Sequence, residues 1–445
     1  MTMASYDPEN EFQRATLRKV MWRVIPLLTL MYTAAYLDRI NIGTAALTMN
    51  KDLGISQAVF GLAASLFLLG YFFLEIPSNL AFVKYGARVW LTRIMITWGI
   101  ISSLTAFVQT PNQLIAVRIA LGIAEAGFFP GLILYLALWF PKEVRARMFF
   151  FTTLPLAVIL GAPASTAIIQ YTDGWFGMAG WRIMFLVEGA LPILLGFFSA
   201  RYLTSLPADA TWLNPEQKAW LASIAEVSGG VKHSVGESLR ILFKNHSLLL
   251  YALAYGFLQM GFYAQLIFTP QIISSFSRTV GVTLSAPQIG LLTSVPSIFA
   301  ALVCYFWVRH SDKTNERVWH AAIGALLGAV GIAICLTSSG VFGLMGGLTL
   351  LQSGLLCGLI PLWQLPTRGL SSSAAAIVIA SVNSVGILGS FTSPIIIGWL
   401  KQRTGSYDAG LTFIAVMLIL AAALIIFAGA VIERKTHARQ RVTAR

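Results

Sequence analysis

The stretch TSLPADATWLNPEQKAWLASIAEVSGGVKHSVGESLRILFKNH, residues 204–246, is the one long polar interruption in an otherwise apolar chain. Within it, Asn214 is a favourable N-cap, Pro215 suits the first position of a helix, and Glu216 suits its first turn. These signals predict a short helix inside a cytoplasmic linker, ended by the pair Gly229-Gly230. The linker divides the chain into two parts of similar length.

On each side of the linker, six runs are long and apolar enough to cross a bilayer, which requires about 20 residues per helix. We therefore predict an all-α membrane protein with twelve transmembrane helices, arranged as two six-helix halves, 22–203 and 247–432, between polar tails 1–21 and 433–445. The predicted helices lie near 22–46, 58–80, 89–108, 113–139, 148–172, 182–203, 247–275, 286–308, 319–338, 341–363, 374–400 and 409–432.

The composition supports a membrane protein and excludes several other classes. Hydrophobic residues make up 57% of the chain, charged residues make up 11%, and the mean hydropathy is +0.74. Soluble domains contain about 25% charged residues, so we expect neither a soluble enzyme nor a nucleic-acid partner. The sequence contains no phosphate-binding loop and no H-E-x-x-H motif, so we expect no enzyme activity, no cofactor and no metal. Cys304, Cys335 and Cys357 lie far apart in apolar runs and are expected to be buried.

The positions of the basic residues predict the orientation in the membrane. Most of the 31 lysines and arginines lie in the tails and in the alternate connections that share one side with them. The connections on the other side carry only Lys51, Arg182, Arg278, Lys401 and Arg403. Because Lys and Arg favour the cytoplasmic side, we predict that both termini are cytoplasmic and that the protein lies in the cell (inner) membrane. The net charge of +13 mostly reflects this topology, with attraction to anionic lipid as a secondary effect.

The ionisable residues inside the predicted helices are the candidate functional groups, since a charge at mid-membrane costs about 2.5–3.5 kcal/mol on insertion scales. The first helix carries Asp38 and Arg39, and the fourth carries Arg118 and Glu125. Carboxyl groups can bind and release protons, whereas an arginine can hold a carboxylate through two parallel hydrogen bonds. These residues could instead form structural ion pairs that lock helices together. For Glu75 of the second helix, such a structural role fits at least as well as a functional one.

Polar and aromatic side chains complete a predicted pocket. Tyr36 shares a face of the first helix with Arg39, and Tyr71 lies on the second helix. The second half offers Trp363 at the end of the tenth helix and Asn383 in the eleventh. A few such groups in an apolar wall can orient a ligand. The competing interpretations are aromatic packing and, for Asn383, an interhelical hydrogen bond.

The two halves also repeat a short pattern. The connection after the second helix reads Lys84-Tyr-Gly-Ala-Arg88-Val-Trp90, and the connection after the eighth reads Asp312-Lys-Thr-Asn-Glu-Arg317-Val-Trp319. Two parallel six-helix halves related by an axis along the membrane normal describe the major facilitator fold. In this fold a substrate site is expected near the middle of the membrane, between the halves.

At these residues the sequence resembles the anion:cation symporter family of the major facilitator superfamily. It is similar to tartrate, phthalate and hydroxyphenylacetate permeases and, more distantly, to galactonate symporters. The resemblance covers nearly the whole chain and is seen in AAYLDRINIG (34–43), GYFFLEIPSNL (70–80), LGIAEAGFFPGLILYLALWFP (121–141) and RHSDKTNERVWH (309–320).

The resemblance implies roles for individual residues. Asp38 and Glu125 match positions that carry protons, Arg39 matches the arginine that binds the substrate carboxylate, and Arg118 matches the arginine that pairs with the helix-four glutamate. The positions that match the pocket are Tyr36, Tyr71, Trp363 and Asn383. Where many members have a second Asn and a Gly in the eleventh helix, this chain has Ile387 and Ser390. This loss of polar groups favours a less hydroxylated substrate, such as an aromatic acid.

The sequence as a whole predicts a secondary active transporter that works by alternating access, as a monomer in lipid. It is expected to import with protons a small organic carboxylate, such as an aromatic acid or a sugar or dicarboxylic acid. One alternative is an exporter or exchanger of organic anions that does not use protons. Another is a membrane sensor that binds its ligand without transporting it. Coupling to sodium instead of protons also stays open at this stage.

Overall fold

The structure, a computed structural model, describes residues 6–153, 156–224, 245–366 and 372–443. Side chains are described within these ranges except at 372–377, at 380 and beyond 431. The predicted helix stop at Gly229-Gly230 lies outside the described residues.

Within the described residues, 12 helices are long and apolar enough to cross a membrane, which confirms the predicted all-α fold. They are α1 (Glu11–Asp52), α2 (Gln57–Tyr85), α3 (Ala87–Phe107), α4 (Pro111–Trp139), α5 (Lys142–Tyr171), α6 (Gly180–Tyr202), α7 (His246–Thr279), α8 (Ala286–Thr314), α9 (Val318–Thr337), α10 (Val341–Gln364), α11 (Ser381–Thr404) and α12 (Asp408–Val431). Helical backbone extends α11 back to Ser372 and α12 on to Thr443.

A break divides α4 into two segments, Pro111–Glu125 and Phe128–Trp139. Between them, Gly127 has a left-handed backbone with φ 84°, a conformation that glycine adopts without a steric penalty. The first segment starts with a capping box, in which Thr110 accepts from the backbone N–H of Gln113 and the Gln113 side chain accepts in return. The break places Glu125 at the very end of the first segment.

The linker contains the predicted short helix, Pro215–Ile224. The side chain of Asn214 accepts a hydrogen bond from the backbone N–H of Gln217 at 2.8 Å, which confirms it as the N-cap. Just before this helix, Trp212 stacks on Trp139 of α4 with ring centroids 5.5 Å apart. The start of the linker is therefore packed against the end of α4.

The chain forms two compact units. The first unit comprises Met1–Asn41, Leu69–Gly161 and Tyr171–Gly230, and the second comprises Ile42–Leu68, Ala162–Gln170 and Val231–Arg445. Inside the first unit α3 packs along α6, and inside the second α7 packs along α11 and α12. The division does not coincide with the two halves of the sequence, because the end of α1, the start of α2 and part of α5 pack within the second unit. For example, Gly43 of α1 lies directly against the backbone of Ile267 in α7.

A seam of glycines joins α9 and α10 inside the second unit. A side chain added at Gly354 would meet the backbone of Gly324 and Gly328, and one added at Gly331 would meet the backbone of Gly347 and Leu351. Lipid supplies no hydrophobic force between helices, so such close backbone contact is a main source of helix association in a membrane.

We therefore expect the variant Gly354→Ala to be destabilised by roughly 1–3 kcal/mol, since the added methyl group meets backbone atoms that cannot move aside. Gly346→Ala on the same helix is the matched control, because nothing lies within 4 Å of a Cβ atom at Gly346. The measurement is the thermal unfolding midpoint of each purified variant in detergent. Equal midpoints for the two variants would contradict the role of the seam.

Candidate functional site

An ion pair between α1 and α4 is the centre of the candidate site. The guanidinium of Arg39 donates to Oε1 of Glu125 through Nη2 at 2.6 Å and through Nε at 3.0 Å. The Glu125 side chain is completely buried, while 20% of the Arg39 side chain is exposed. Among the described residues, the second oxygen of Glu125, Oε2, has no hydrogen-bond partner. Arg39 thus stabilises the carboxyl group of Glu125 directly, through one of its two oxygens.

Asp38, next to Arg39 in the chain, forms hydrogen bonds with a different set of residues. Its Oδ1 accepts a short hydrogen bond from the hydroxyl of Ser102 in α3 and a longer one, 3.4 Å, from the amide of Asn41. Only 4% of Asp38 is exposed. Both of these donors are neutral groups, so they orient the carboxyl group without cancelling its charge.

Arg118 supplies a second positive charge close to both acids. It is 1% exposed and lies on the first segment of α4, two helical turns before Glu125. From there it interacts electrostatically with Asp38 and with Glu125. Arg118 thus acts on the acid with which the family resemblance pairs it, and Arg39 donates hydrogen bonds to the same carboxyl group.

Aromatic rings surround the guanidinium of Arg39. Its Cζ atom lies 5.8 Å from the ring centre of Tyr36 and 5.3 Å from that of Tyr71 on α2. A cation within about 6 Å of an aromatic ring is attracted to it. Tyr36 also packs against Tyr32, one turn earlier, with ring centroids 4.9 Å apart. Tyr36 and Arg39 therefore share the helix face that their spacing predicted.

The close approach of α2 to α4 positions Tyr71 beside this cluster. Gly70 lies against the backbone of Ile119 in α4, where any side chain would collide. Half-buried Glu75, one turn beyond Tyr71, interacts electrostatically with Arg39. The first unit thus brings together six of the residues predicted from the sequence: Tyr36, Asp38, Arg39, Tyr71, Arg118 and Glu125.

The other two predicted residues lie in the second unit. Trp363 is half-buried and packs edge-to-face on Tyr255 of α7, with ring centroids 4.7 Å apart. Asn383 is half-buried on α11, and Gly386, three residues later, lies directly against the ring of Tyr255. Trp363, Tyr255 and the middle of α11 therefore form one cluster inside this unit.

Ser102 is the site residue that the sequence analysis missed. It lies in the run Gly99–Leu104 of α3, where a second serine, Ser103, is adjacent and nothing in the spacing singles out either residue. Only the packing of α3 against α1 shows that the hydroxyl of Ser102 reaches Asp38. In the part of the chain that the structure describes, no group of three or more His, Cys, Asp or Glu residues could hold a metal ion. The three cysteines are buried, as expected.

Comparisons with known proteins place the chain in a family. The family model of the Major Facilitator Superfamily matches residues 28–358. A putative tartrate transporter from Agrobacterium vitis is 44% identical over 415 residues, covering 93% of this chain and 94% of that protein. A quinolone resistance transporter from Acinetobacter baumannii is 33% identical over 429 residues, covering 96% of this chain and 97% of that protein.

The solved structures agree on the fold. The crystal structure of a D-xylose–proton symporter superposes with a TM-score of 0.72 at 16% sequence identity, covering 91% of this chain and 97% of that one. The chain therefore belongs to the major facilitator superfamily and is an integral, multi-pass membrane transporter.

Proposed function

We propose that this transporter imports an organic carboxylate together with protons, by alternating access. The observation that supports this most directly is the contact between Arg39 and Glu125. Arginine recognises a carboxylate through two N–H groups, and Nε and Nη2 of Arg39 are both engaged by a carboxylate of the protein itself. A substrate carboxylate would need the same face of the same guanidinium.

Protonation of Glu125 gives a physical route to coupling. A neutral carboxyl group accepts a much weaker hydrogen bond from arginine than a carboxylate does. A proton on Glu125 would therefore release Arg39, and a substrate carboxylate would replace Glu125 at the guanidinium. Binding free energies are reciprocal, so the substrate would raise the proton affinity of the site by the same factor.

Asp38 is proposed as the second proton site. Ser102 and Asn41 hold its carboxyl group in place with neutral donors, and Arg118 balances its charge from nearby. A proton on Asp38 would remove the negative charge that Arg118 balances. The electrostatic interactions among α1, α3 and α4 would then change together. Asp38 is therefore placed to influence how these helices pack as it gains or loses a proton.

The orientation of the protein in the membrane is inferred from the charge distribution of its connections. We propose that both termini are cytoplasmic, that the protein lies in the inner membrane among anionic lipids, and that it works as a monomer. The membrane potential adds to the driving force, by about 2.3 kcal/mol per net charge per 100 mV, only where the protons outnumber the negative charges of the substrate.

The substrate class is a small carboxylate that can lie against aromatic walls. Tyr36 and Tyr71 flank Arg39 in the first unit. Trp363 and Asn383, in the second unit, are proposed as further substrate-binding residues. The similarity to a putative tartrate transporter supports the dicarboxylic acids among the candidates, which also include aromatic and sugar acids.

One observation favours a second candidate, outward transport or exchange of organic anions without protons. A relative of similar length is named a quinolone resistance transporter. In that case the acids of α1 and α4 would be structural, and transport would be insensitive to an uncoupler. A sensor without transport activity would bind ligand in a thermal-shift assay and show no flux.

The first test uses the purified protein in liposomes that contain a pH-sensitive dye. Tartrate, phthalate, para-hydroxyphenylacetate, galactonate and a neutral sugar are added outside in turn. We expect the lumen to become acidic with one class of acid and not with the sugar, and empty liposomes are the control. Uptake of a labelled acid with no change in lumenal pH would exclude proton coupling.

Glu125→Gln should separate proton movement from substrate binding. The amide cannot take up a proton, so we expect substrate-driven acidification to be lost while exchange of internal for external substrate persists. Glu143→Gln is the control, since Glu143 is an exposed acid in the first turn of α5. Acidification at the unmodified rate in Glu125→Gln would rule out its proposed role.

Arg39→Lys should weaken substrate binding although it keeps the charge. Lysine is a point charge and cannot present the Nε and Nη2 pair. Loss of one charge-assisted hydrogen bond of about 1.5–3 kcal/mol predicts an affinity lower by roughly 10–100-fold. The measurement is the dissociation constant of the transported acid by calorimetry. An unchanged constant would show that the substrate carboxylate binds elsewhere.

A further inference from the structure

An open cavity of about 680 Å³ lies inside the second unit, and its lining shares no residue with the cluster around Arg39. It is formed where α1 and α7 end, where α2 begins and where α11 passes into α12. Its polar lining includes Lys51, Arg278 and Lys401, each in the last turn of its helix, together with Gln57, Gln271 and Tyr407. The rest of the lining is neutral, and no acidic residue belongs to it.

The three basic residues are the same ones that the sequence places on the sparsely charged side of the membrane. That side carries only five lysines and arginines, so the convergence of Lys51, Arg278 and Lys401 on one cavity is a concentration of positive charge. Arg278 and Lys401 lie close enough for their charges to repel each other. Asp408, at the start of α12, attracts Lys401 but does not line the cavity.

Hydrogen bonds hold two of these cations in place. Arg278 donates through Nε to the backbone carbonyl of Ser274 at 3.1 Å and through Nη2 to the Ser274 hydroxyl at 3.2 Å. Lys401 donates to the carbonyl of Gly405 at 2.7 Å, and its Nζ lies 4.5 Å from the ring centre of Tyr407. Cations at helix C-termini are favourable in themselves, but that effect does not require three of them to face one space.

Neutral donors add to this surface. The hydroxyl of Tyr407 lies 3.2 Å from Oε1 of Gln57 and 3.1 Å from Oε1 of Gln271, so its single proton ties together α2, α7 and the start of α12. Burial raises the pKa of Tyr407, so the phenol stays neutral and keeps its proton for these two contacts. Asn50 and Gln271 both line the cavity, are more than nine-tenths buried, and have side-chain N–H groups without a partner among the described residues.

We propose that this cavity is a second anion-binding site, which takes an oxyanion of the carboxylate or phosphate type. An oxyanion would relieve the repulsion between the basic side chains, and carboxylate and phosphate oxygens suit both guanidinium and ammonium donors. The cavity lies at the ends of the helices and is open, so the anion enters from the solution or from the membrane surface. In the proposed orientation this is the outer face, where the site would gather anionic substrate before transport. That last role rests on the proposed function, whereas anion binding does not.

The binding test measures the reactivity of Lys51 and Lys401 towards an amine-modifying reagent by mass spectrometry. The full-length protein is placed in phosphatidylcholine vesicles, and tartrate or inorganic phosphate is titrated. Lys142, which is exposed at the start of α5, serves as the internal reference. We expect saturable protection of Lys51 and Lys401 and none of Lys142.

A second arm replaces part of the phosphatidylcholine with phosphatidylglycerol and adds no free anion. Protection by the free anions alone identifies a soluble ligand, and protection by phosphatidylglycerol alone identifies a lipid phosphate. Both results support an oxyanion site and distinguish its source. Unchanged reactivity of both lysines in every arm would overturn the proposal.

Two variants separate this cavity from general surface charge. Arg278→Gln should lower the affinity for the protecting anion about tenfold, as expected for the loss of one charge-assisted contact. Arg403→Gln is the matched control, because Arg403 shares the last turn of α11 with Lys401 but lies over Trp399 and outside the cavity lining. An equal loss of anion affinity in both variants would show that only the general surface charge attracts the anion. That result would contradict a defined site.

Arg278→Lys keeps the charge and provides a folded variant should the glutamine substitution prevent expression.

In transport assays we expect Arg278→Gln to raise KM with little change in kcat. Because the lysine-protection assay does not depend on flux, it gives an answer even if carboxylate transport itself is disproved.

Discussion

Every backbone N–H and C=O that crosses a bilayer must find its hydrogen bond within the protein, because the hydrocarbon core contains no water to supply one. This constraint gives the chain its twelve helices and permits irregular backbone only where the protein itself surrounds it. The break in α4 at Ala126 and Gly127 is such a place, since both residues are buried. There the fold places Glu125, so the irregular backbone and the candidate functional acid coincide.

The same absence of water controls the charged side chains. A lone charge in hydrocarbon is costly, and the structure accommodates four in one cluster by alternating their signs: Asp38, Arg39, Arg118 and Glu125. Buried ion pairs contribute little to stability, because desolvation offsets their attraction. Stability alone is therefore a weak reason for such a cluster, and the proposed exchange of partners at Arg39 is a role in which its charges would be used.

Much of this could be predicted from the sequence, because hydropathy and helix spacing report directly on single helices. The twelve spans, the N-cap Asn214 and the shared face of Tyr36 and Arg39 are of this kind. Pairing between helices is different. Arg118 and Glu125 share a face of α4, about 10 Å apart along the axis, which spacing within one helix can predict. Arg39, which donates hydrogen bonds to Glu125, lies on another helix, and spacing within one helix cannot reveal such a contact.

The same limit applies to Ser102 and to the cavity of Lys51, Arg278 and Lys401. Each depends on which helices are neighbours and on the height at which they meet. The sequence places these three cations on one side of the membrane through their positions in the connections. Their convergence arises from the packing of α1, α7 and α11 within the second unit, where small residues such as Gly43 and Gly61 let the backbones approach.

Under the proposed symport, the charge balance of the cluster bears on the number of protons that would accompany the substrate. With all four groups ionised, Asp38, Glu125, Arg39 and Arg118 sum to zero. A monocarboxylate bound at Arg39 would leave one uncompensated negative charge, and one proton on Glu125 restores neutrality. A dicarboxylate such as tartrate would leave two, and Asp38 can take the second proton. Since unbalanced charge is expensive in this environment, the proposed symport would carry as many protons as the substrate carries negative charges, up to the two that Asp38 and Glu125 could bind.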